Sequence, residues 1–240
     1  MSRPNSAAAV VHAANNSNRS SHASYSPFMT LALIPVNRLE RAKGRLADTL
    51  DASVREALAR ATFATVLEAA LGTFAEVAVL TADAAAGEMA TAAGARVITE
   101  DPERSGLNAQ LEHALARLGQ PEGGIAILHA DLPLARVEHF AAFAASAPPA
   151  PSVTLVRSLD GGTNLMLLRP PGRFALAYGP GSYELHVEAA AAAGMTVTAF
   201  DRAELELDID TPADLATFLA TPSAGDTAAG ILLRGLDLSR

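Results

Sequence analysis

An α/β fold is predicted, built on a mostly parallel but mixed sheet with helices on both faces. Three observations carry it. Short, wholly apolar runs alternate with longer stretches of helical period, which is the pattern of strands buried on both faces of a sheet. The order through residue 145 is β-α-β-α-β-α-β-α, which calls for parallel pairing by crossover connections. After Pro151 two strand-like runs, "SVTLVR" and "TNLMLLR", are joined only by "SLDGG", which is hairpin spacing and makes the sheet mixed.

The elements follow in order. "FMTLALIP" (Phe28–Pro35) is an apolar run ended by Pro, read as a strand. In "DASVREALARATFATVLEAALG" the residues Val54, Leu58, Ala61, Ala64, Leu67 and Leu71 recur at spacings of three and four. Gly72 stands at the C-cap position. "EVAVLT" is a strand, Ala84–Ala93 a helix ended by Gly94, and "ARVIT" a strand. Asn108–Leu118 reads as helix, "GIAILHA" as a strand running into Asp131, and Arg136–Ala145 as helix. Beyond the hairpin come Gly-Pro-Gly-Ser, a helix to Ala193, strands at "MTVTAF" and "LELDID", and a last helix from Pro212.

The 240 residues are half apolar, with 17 Gly and 14 Pro, enough to bury one sizeable core. Residues 28–220 are expected to form that domain. Residues 1–27, rich in Ala, Ser and Asn, are read as a disordered tail and lack the apolar core of a secretory signal. Residues 221–240 are read as a C-terminal tail whose "AGILLRGLDL" docks on the domain or on a partner. No apolar run is long enough to span a membrane. The absence of Cys excludes disulfides and thiolate metal sites and fits a cytoplasmic protein. A net charge of −8 argues against nucleic acid as partner.

Ligands of such sheets sit beyond the carboxyl ends of the strands, and four polar sites fall there. After the first strand, Arg38, Arg41, Lys43 and Arg45 cluster in a chain with only 18 basic residues. They read as a polyphosphate grip against a solvated loop. Neither G-x-G-x-x-G nor a P-loop is present, which disfavours a nicotinamide dehydrogenase. In "DPERSGLNAQL", Ser105 or Gly106 opens a helix whose first N–H groups suit an anion, and Asn108 suits a base or ribose. Asp131 lies on the lip of a central strand. In "LDIDTPADL", Thr211, Pro212 and Asp214 make a helix start, leaving Asp208 and Asp210 on one face of an extended run. Carboxylates ~4 Å apart repel by about 4 kcal/mol at an effective dielectric of 20. Convergence of Asp131 and Asp210 would therefore require a proton or a cation, and all-oxygen ligands select Mg²⁺ or Mn²⁺. His129 is read as a core residue and His186 as an exposed helix residue.

Taken in order, "IPVNRLERAKGRL", "GLNAQL", "ADLP", "GGTNLMLL", "GPGSYELH" and "DIDTPADL" closely resemble the phospholactate guanylyltransferase family of coenzyme F-420 biosynthesis, over about residues 30–220. The resemblance implies a Rossmann-like nucleotidyltransferase fold that uses GTP, a divalent metal and a small phosphorylated acid. That acid is 2-phospholactate, phosphoenolpyruvate or 3-phosphoglycerate, and the by-product is pyrophosphate. It implies metal binding at Asp131 and at Asp208 and Asp210, with Lys43 near the phosphates. Joined with the strand-end reading above, catalysis falls to Lys43, Asp131 and Asp210, and nucleotide binding to Arg41, Lys43, Ser105, Gly106 and Asn108. The acid falls to Thr163, Gly179 and Ser182. The chain departs from the family pattern at Asn37, where Lys is usual, which removes a cation from the phosphate end. The Gly-Gly-Thr-Asn and Gly-Pro-Gly-Ser clusters are then two sides of one anion pocket, with a hydroxyl on one and a helix start on the other. Rivals are a nucleotidyltransferase for another acceptor and a non-catalytic nucleotide-binding relative. Oligomeric state stays open, a homodimer included.

Overall fold

The computed structural model describes residues Val11–His12 and Thr30–Gly235. Its strands are β1 (Val11–His12), β2 (Leu31–Pro35), β3 (Glu76–Thr81), β4 (Arg96–Thr99), β5 (Ile125–Leu128), β6 (Ser152–Arg157), β7 (Thr163–Arg169) and β8 (Thr196–Ala199). The helices are α1 (Ala52–Leu71), α2 (Ala84–Ala93), α3 (Leu107–Leu118), α4 (Val137–Ala145), α5 (Ser182–Ala192), α6 (Ala203–Glu206), α7 (Pro212–Ala220) and α8 (Ala228–Arg234).

One eight-stranded sheet has the order β1-β8-β6-β7-β5-β2-β3-β4. All pairs are parallel except those of β7, which runs against both β5 and β6. The expected hairpin therefore supplies the single reversed strand. Successive residues along each strand feed opposite faces, because side chains alternate with a period of two. Ala32, Ile34, Ala126 and Leu128 face a core built with Phe63 of α1 and Phe140 and Phe143 of α4. Leu31, Leu33, Ile125 and Ile127 face a second core with Leu111 of α3 and Val187 and Ala190 of α5.

One expected element changes. "LELDID" is not a strand: Ala203–Glu206 is a helical turn and residues 207–210 are extended but unpaired in any ladder. Its alternation is nonetheless physical, since Leu207 and Ile209 are buried while Asp208 and Asp210 are half-buried. They are buried against Leu215 and Phe218 of α7 in a third apolar cluster. Within residues 1–27, Val11–His12 pairs in parallel with β8, as an open sheet edge invites, and the rest lies outside the described residues. The C-terminal segment packs on the domain as far as Arg234, Ala229 and Leu233 joining Leu58 of α1 in that third cluster. No helix among the described residues is long and apolar enough to cross a membrane.

Candidate active site

The parallel strands β2, β4 and β5 end on the same edge of the sheet. Because β7 is reversed, it begins there. Its first residues, Thr163 and Asn164, thus stand beside the end of β5, where His129 N–H donates to the Asn164 carbonyl at 3.0 Å. A cleft of about 660 Å³ opens on this edge. Its lining includes Asn37, Arg41 and Lys43 from the loop after β2, Ser105 and Gly106 before α3, and Asp131 and Asp210.

Lys43 is the keystone. Its Nζ donates to Asp131 Oδ2 at 2.9 Å and to Asp210 Oδ1 at 3.1 Å, with only 4% of the side chain exposed. It is also the non-glycine residue with positive φ (59°) among the described residues. A left-handed backbone is disfavoured for L-residues, and here the paired carboxylates hold it in place. Burial alone would lower the Lys43 pKa, but Asp131 and Asp210 reverse the effect and raise it above the ordinary value. Burial likewise acts to raise Asp131, and Lys43 overrides it to hold the carboxylate below its usual range.

Asp131, Asp208 and Asp210 each bring one oxygen into a group lying within 4.8 Å of one another. Asp208 has no cationic partner among the described residues. Burial first, then the charges of Asp131 and Asp210, push its pKa up to about 7. The other oxygen of Asp131, Oδ1, is buried without a hydrogen-bond partner among the described residues. A hard divalent cation suits this donor set: oxygen ligands only, one buried acceptor unused, and more negative charge than Lys43 neutralises.

The local sequence explains how these groups are held. Thr211 and Asp214 form a capping box at the start of α7, with Pro212 inside it, as the sequence indicated. The Asp214 carboxylate also accepts from Asp210 N–H at 3.2 Å, so the cap fixes the backbone that carries Asp210. Asn164 holds the other aspartate. Its Nδ2 donates to the carbonyls of Leu205 (3.0 Å) and Glu206 (3.1 Å) and approaches Asp208 Oδ1 at 3.4 Å. Sequence reasoning missed this role, although an amide entering the apolar run "TNLMLL" was its signal. Gln110 was missed too. From α3 it grips Asp101 N–H and the carbonyls of Asp101 and Arg104, which shapes the loop carrying Ser105 and Gly106.

The remaining expected residues divide. Arg41 lies exposed on the cleft rim, while Arg38 and Arg45 are exposed and outside its lining. The basic cluster is thus one buried cation and three solvated ones. Gly106 (φ 84°) is the N-cap of α3, and no side chain caps the N–H groups that follow. Asn108 does not line the cleft. Its amide donates to the Tyr178 carbonyl at 3.0 Å and accepts from Tyr178 N–H at 2.8 Å, committing both ends.

The two glycine-bearing clusters meet. Tyr183 N–H donates to the Gly161 carbonyl at 3.4 Å, and Ser182 Oγ donates to Thr163 Oγ1 at 3.2 Å. Gly179 has φ 144° and accepts from Ser182 N–H, so part of the helix start is already spent on the loop itself. His186, expected on an exposed helix face, is fully buried, because α5 lies against β6 and β8 and the loop before it folds Ala177 and Tyr178 over the ring. Thr163 Oγ1 lies 3.0 Å from its Nδ1.

A mostly parallel sheet with one reversed strand and a carboxylate cluster at its strand ends is the architecture of nucleotidyltransferase-like proteins. Solved structures with this fold include a protein described as a nucleotide-diphospho-sugar transferase from Desulfovibrio desulfuricans G20 (TM-score 0.68, 17% identity, 86% of this chain and 94% of that one). Another is CMP:2-keto-3-deoxy-manno-octonic acid synthetase complexed with CTP (TM-score 0.52, 16% identity, 86% and 99%). The fold is thus of the nucleotidyltransferase-like α/β class. The chain belongs to the family described as "Guanylyl transferase CofC like", which matches residues 30–239, and is a nucleotidyltransferase. Relatives named phosphoenolpyruvate guanylyltransferase include those of Streptomyces coelicolor (38% identical, 85% of this chain, 97% of the relative) and Thermomonospora curvata (40%, 82% and 86%).

Proposed function

We propose that the protein transfers GMP from GTP to the phosphate of a small phosphorylated carboxylic acid, releasing pyrophosphate, as a step of coenzyme F-420 biosynthesis. The carboxylate cluster carries this reading, because it stands between the cleft and the Thr163–Ser182 pair. Asp131 and Asp210 line the cleft, while Asp208 is tied through Asn164 to Thr163 and the acid side. The names of the relatives favour phosphoenolpyruvate as the acid, with 2-phospholactate and 3-phosphoglycerate the alternatives.

An oxygen of the acid's phosphate forms a bond to the α-phosphorus of GTP, and the bond from that phosphorus to the bridging oxygen breaks. The attacking oxygen is already anionic, so no general base is needed. The difficulty is electrostatic: two anions must meet in line. Lys43 offers a buried cation at the cleft floor, Arg41 a cation at its rim, and the uncapped start of α3 offers N–H donors to a phosphate or ribose. Mg²⁺ or Mn²⁺ held by Asp131, Asp208 and Asp210 would offset charge on both anions and on the leaving pyrophosphate.

The test is pyrophosphate release with GTP and Mg²⁺, run in parallel with phosphoenolpyruvate, 2-phospholactate and both phosphoglycerates. Release with one acid and none without it is expected. GTP binding with no release from any acid would remove these acids as acceptors, in favour of a different acceptor or of a binding protein.

A further inference from the structure

Behind the acid side of the site lies a hydrogen-bonded set whose proton positions follow from the partners. Ala177 N–H donates to His186 Nε2 at 2.9 Å. A backbone N–H can only donate, so Nε2 carries no proton. The neutral ring then keeps its proton on Nδ1, 3.0 Å from Thr163 Oγ1, and Thr163 accepts it. Thr163 and Ser182 share one further bond at 3.2 Å. Two hydroxyl protons enter that pair and one is consumed in it. The other has no acceptor among the described residues.

The opposite tautomer would reverse the outcome. With Nδ1 bare, Thr163 would donate to His186 and Ser182 to Thr163, leaving no spare proton and only lone pairs for a ligand. Such a pocket repels an anion. The state of one imidazole thus decides whether the hydroxyl pair attracts or rejects an acid.

The surroundings hold this state in place. His186 is 0% exposed, packed edge-on by Tyr178 at 4.8 Å and near Phe174 at 6.3 Å. Burial, with the neighbouring His129, lowers its pKa to about 4, so the ring stays neutral. Asn108 clamps the backbone of Tyr178 from both sides, and so steadies the adjacent Ala177 N–H that selects the tautomer. Here the set ends on an unmatched hydroxyl proton at two buried residues, which calls for an acceptor.

We propose that His186 is a positioning residue that sets the hydrogen-bond polarity of the acid pocket: its Nδ1–H tautomer makes the Thr163–Ser182 hydroxyl pair a single donor to an anionic oxygen of the phosphorylated acid. The proposal rests on the reading of Thr163 and Ser182 as acid-binding residues, and two measurements separate its failure from that of the transferase reading. The first is ¹⁵N NMR of the histidine-labelled full chain without substrate, the His186 signals assigned through His186→Asn. A proton on Nδ1 and a bare Nε2 are expected, and a proton on Nε2 overturns the proposal whatever the enzyme does. The second is steady-state kinetics with GTP and each acid. His186→Leu should raise KM for the acid about tenfold or more, as loss of a hydrogen bond to a charged group does, with KM for GTP little changed. His186→Asn, whose amide N–H can take the place of Nδ1–H, should recover most of that loss. In a Thr163→Val background His186→Leu should add nothing. An unchanged KM for the acid in His186→Leu, or equal rises for acid and GTP in both variants, overturns the proposal. A wild type that turns over no acid overturns the transferase reading instead.

Discussion

Lys43 Nζ stands 2.9 Å from Asp131 Oδ2, brought there by a left-handed backbone at Lys43 itself. The ammonium occupies carboxylate oxygens that a divalent cation would also use. Breaking a buried ion pair by removing one partner costs about 3–5 kcal/mol, because the other charge is left uncompensated. Lys43→Met should therefore melt lower than wild type without Mg²⁺ and gain more from added Mg²⁺. Thermal unfolding with and without Mg²⁺ measures both, and an equal gain in the two proteins would show that Lys43 and the cation do not compete.

Asp131 offers one oxygen to Lys43 and a second, buried one with no hydrogen-bond partner among the described residues. Asp131→Ala should reduce kcat by at least about 10²–10³-fold, the scale seen when a charge-stabilising group is removed, while the folded structure persists. Circular dichroism and pyrophosphate release decide it together. Retained turnover with unchanged Mg²⁺ dependence would take Asp131 out of the metal site.

The pH dependence turns on Asp208. Its folded pKa of about 7 exceeds the ordinary 3.8, so the fold favours the protonated form. That contribution is fully present below about 4 and is lost as pH rises through 7. A bound cation needs the carboxylate, so Mg²⁺ affinity runs the other way and should rise across the same interval. His186 has the opposite sign: its folded pKa of about 4 lies below the ordinary 6.5, and its contribution is lost as pH falls through that range. Comparing Asp208→Asn with wild type isolates the aspartate. The variant should show a Mg²⁺-induced stabilisation that no longer grows between pH 6 and pH 8. If the two proteins respond alike, Asp208 is not a ligand.

Asn108 separates two roles. As a clamp on Tyr178 it acts on the acid side, whereas contact with a base or ribose would act on GTP. Asn108→Ala should raise KM for the acid more than KM for GTP. The reverse ratio would place Asn108 in nucleotide binding.

Gly230 tests the docking of α8. A Cβ there would run into the Ala224 carbonyl, which backbone cannot yield cheaply. Overpacking typically costs ~1–3 kcal/mol, equivalent to about 2–12 °C in a domain of this size. Gly230→Ala should lower the melting temperature within that range, and no change would mean that α8 lifts away at little cost.

Much of this protein was determined by local sequence. Strands β2, β3 and β5 were legible because apolar runs bounded by turn residues have one low-energy use. The Thr211–Asp214 cap was legible because its residues satisfy each other within four positions. The hairpin was legible from its five-residue joint. What lay beyond sequence was decided by contacts between distant segments. "LELDID" alternates like a strand, yet Leu207 and Ile209 answer to α7 rather than to a ladder. Asn108 is held by Tyr178, far along the chain, and His186 looks exposed until Ala177, Tyr178 and Thr163 close around its ring. The reversal of β7 matters most. It puts the start of one strand beside the end of another, so that Thr163 and Asn164 reach the edge where Asp131 stands. Residue types carry the chemistry, but only the direction of a strand brings them to one place.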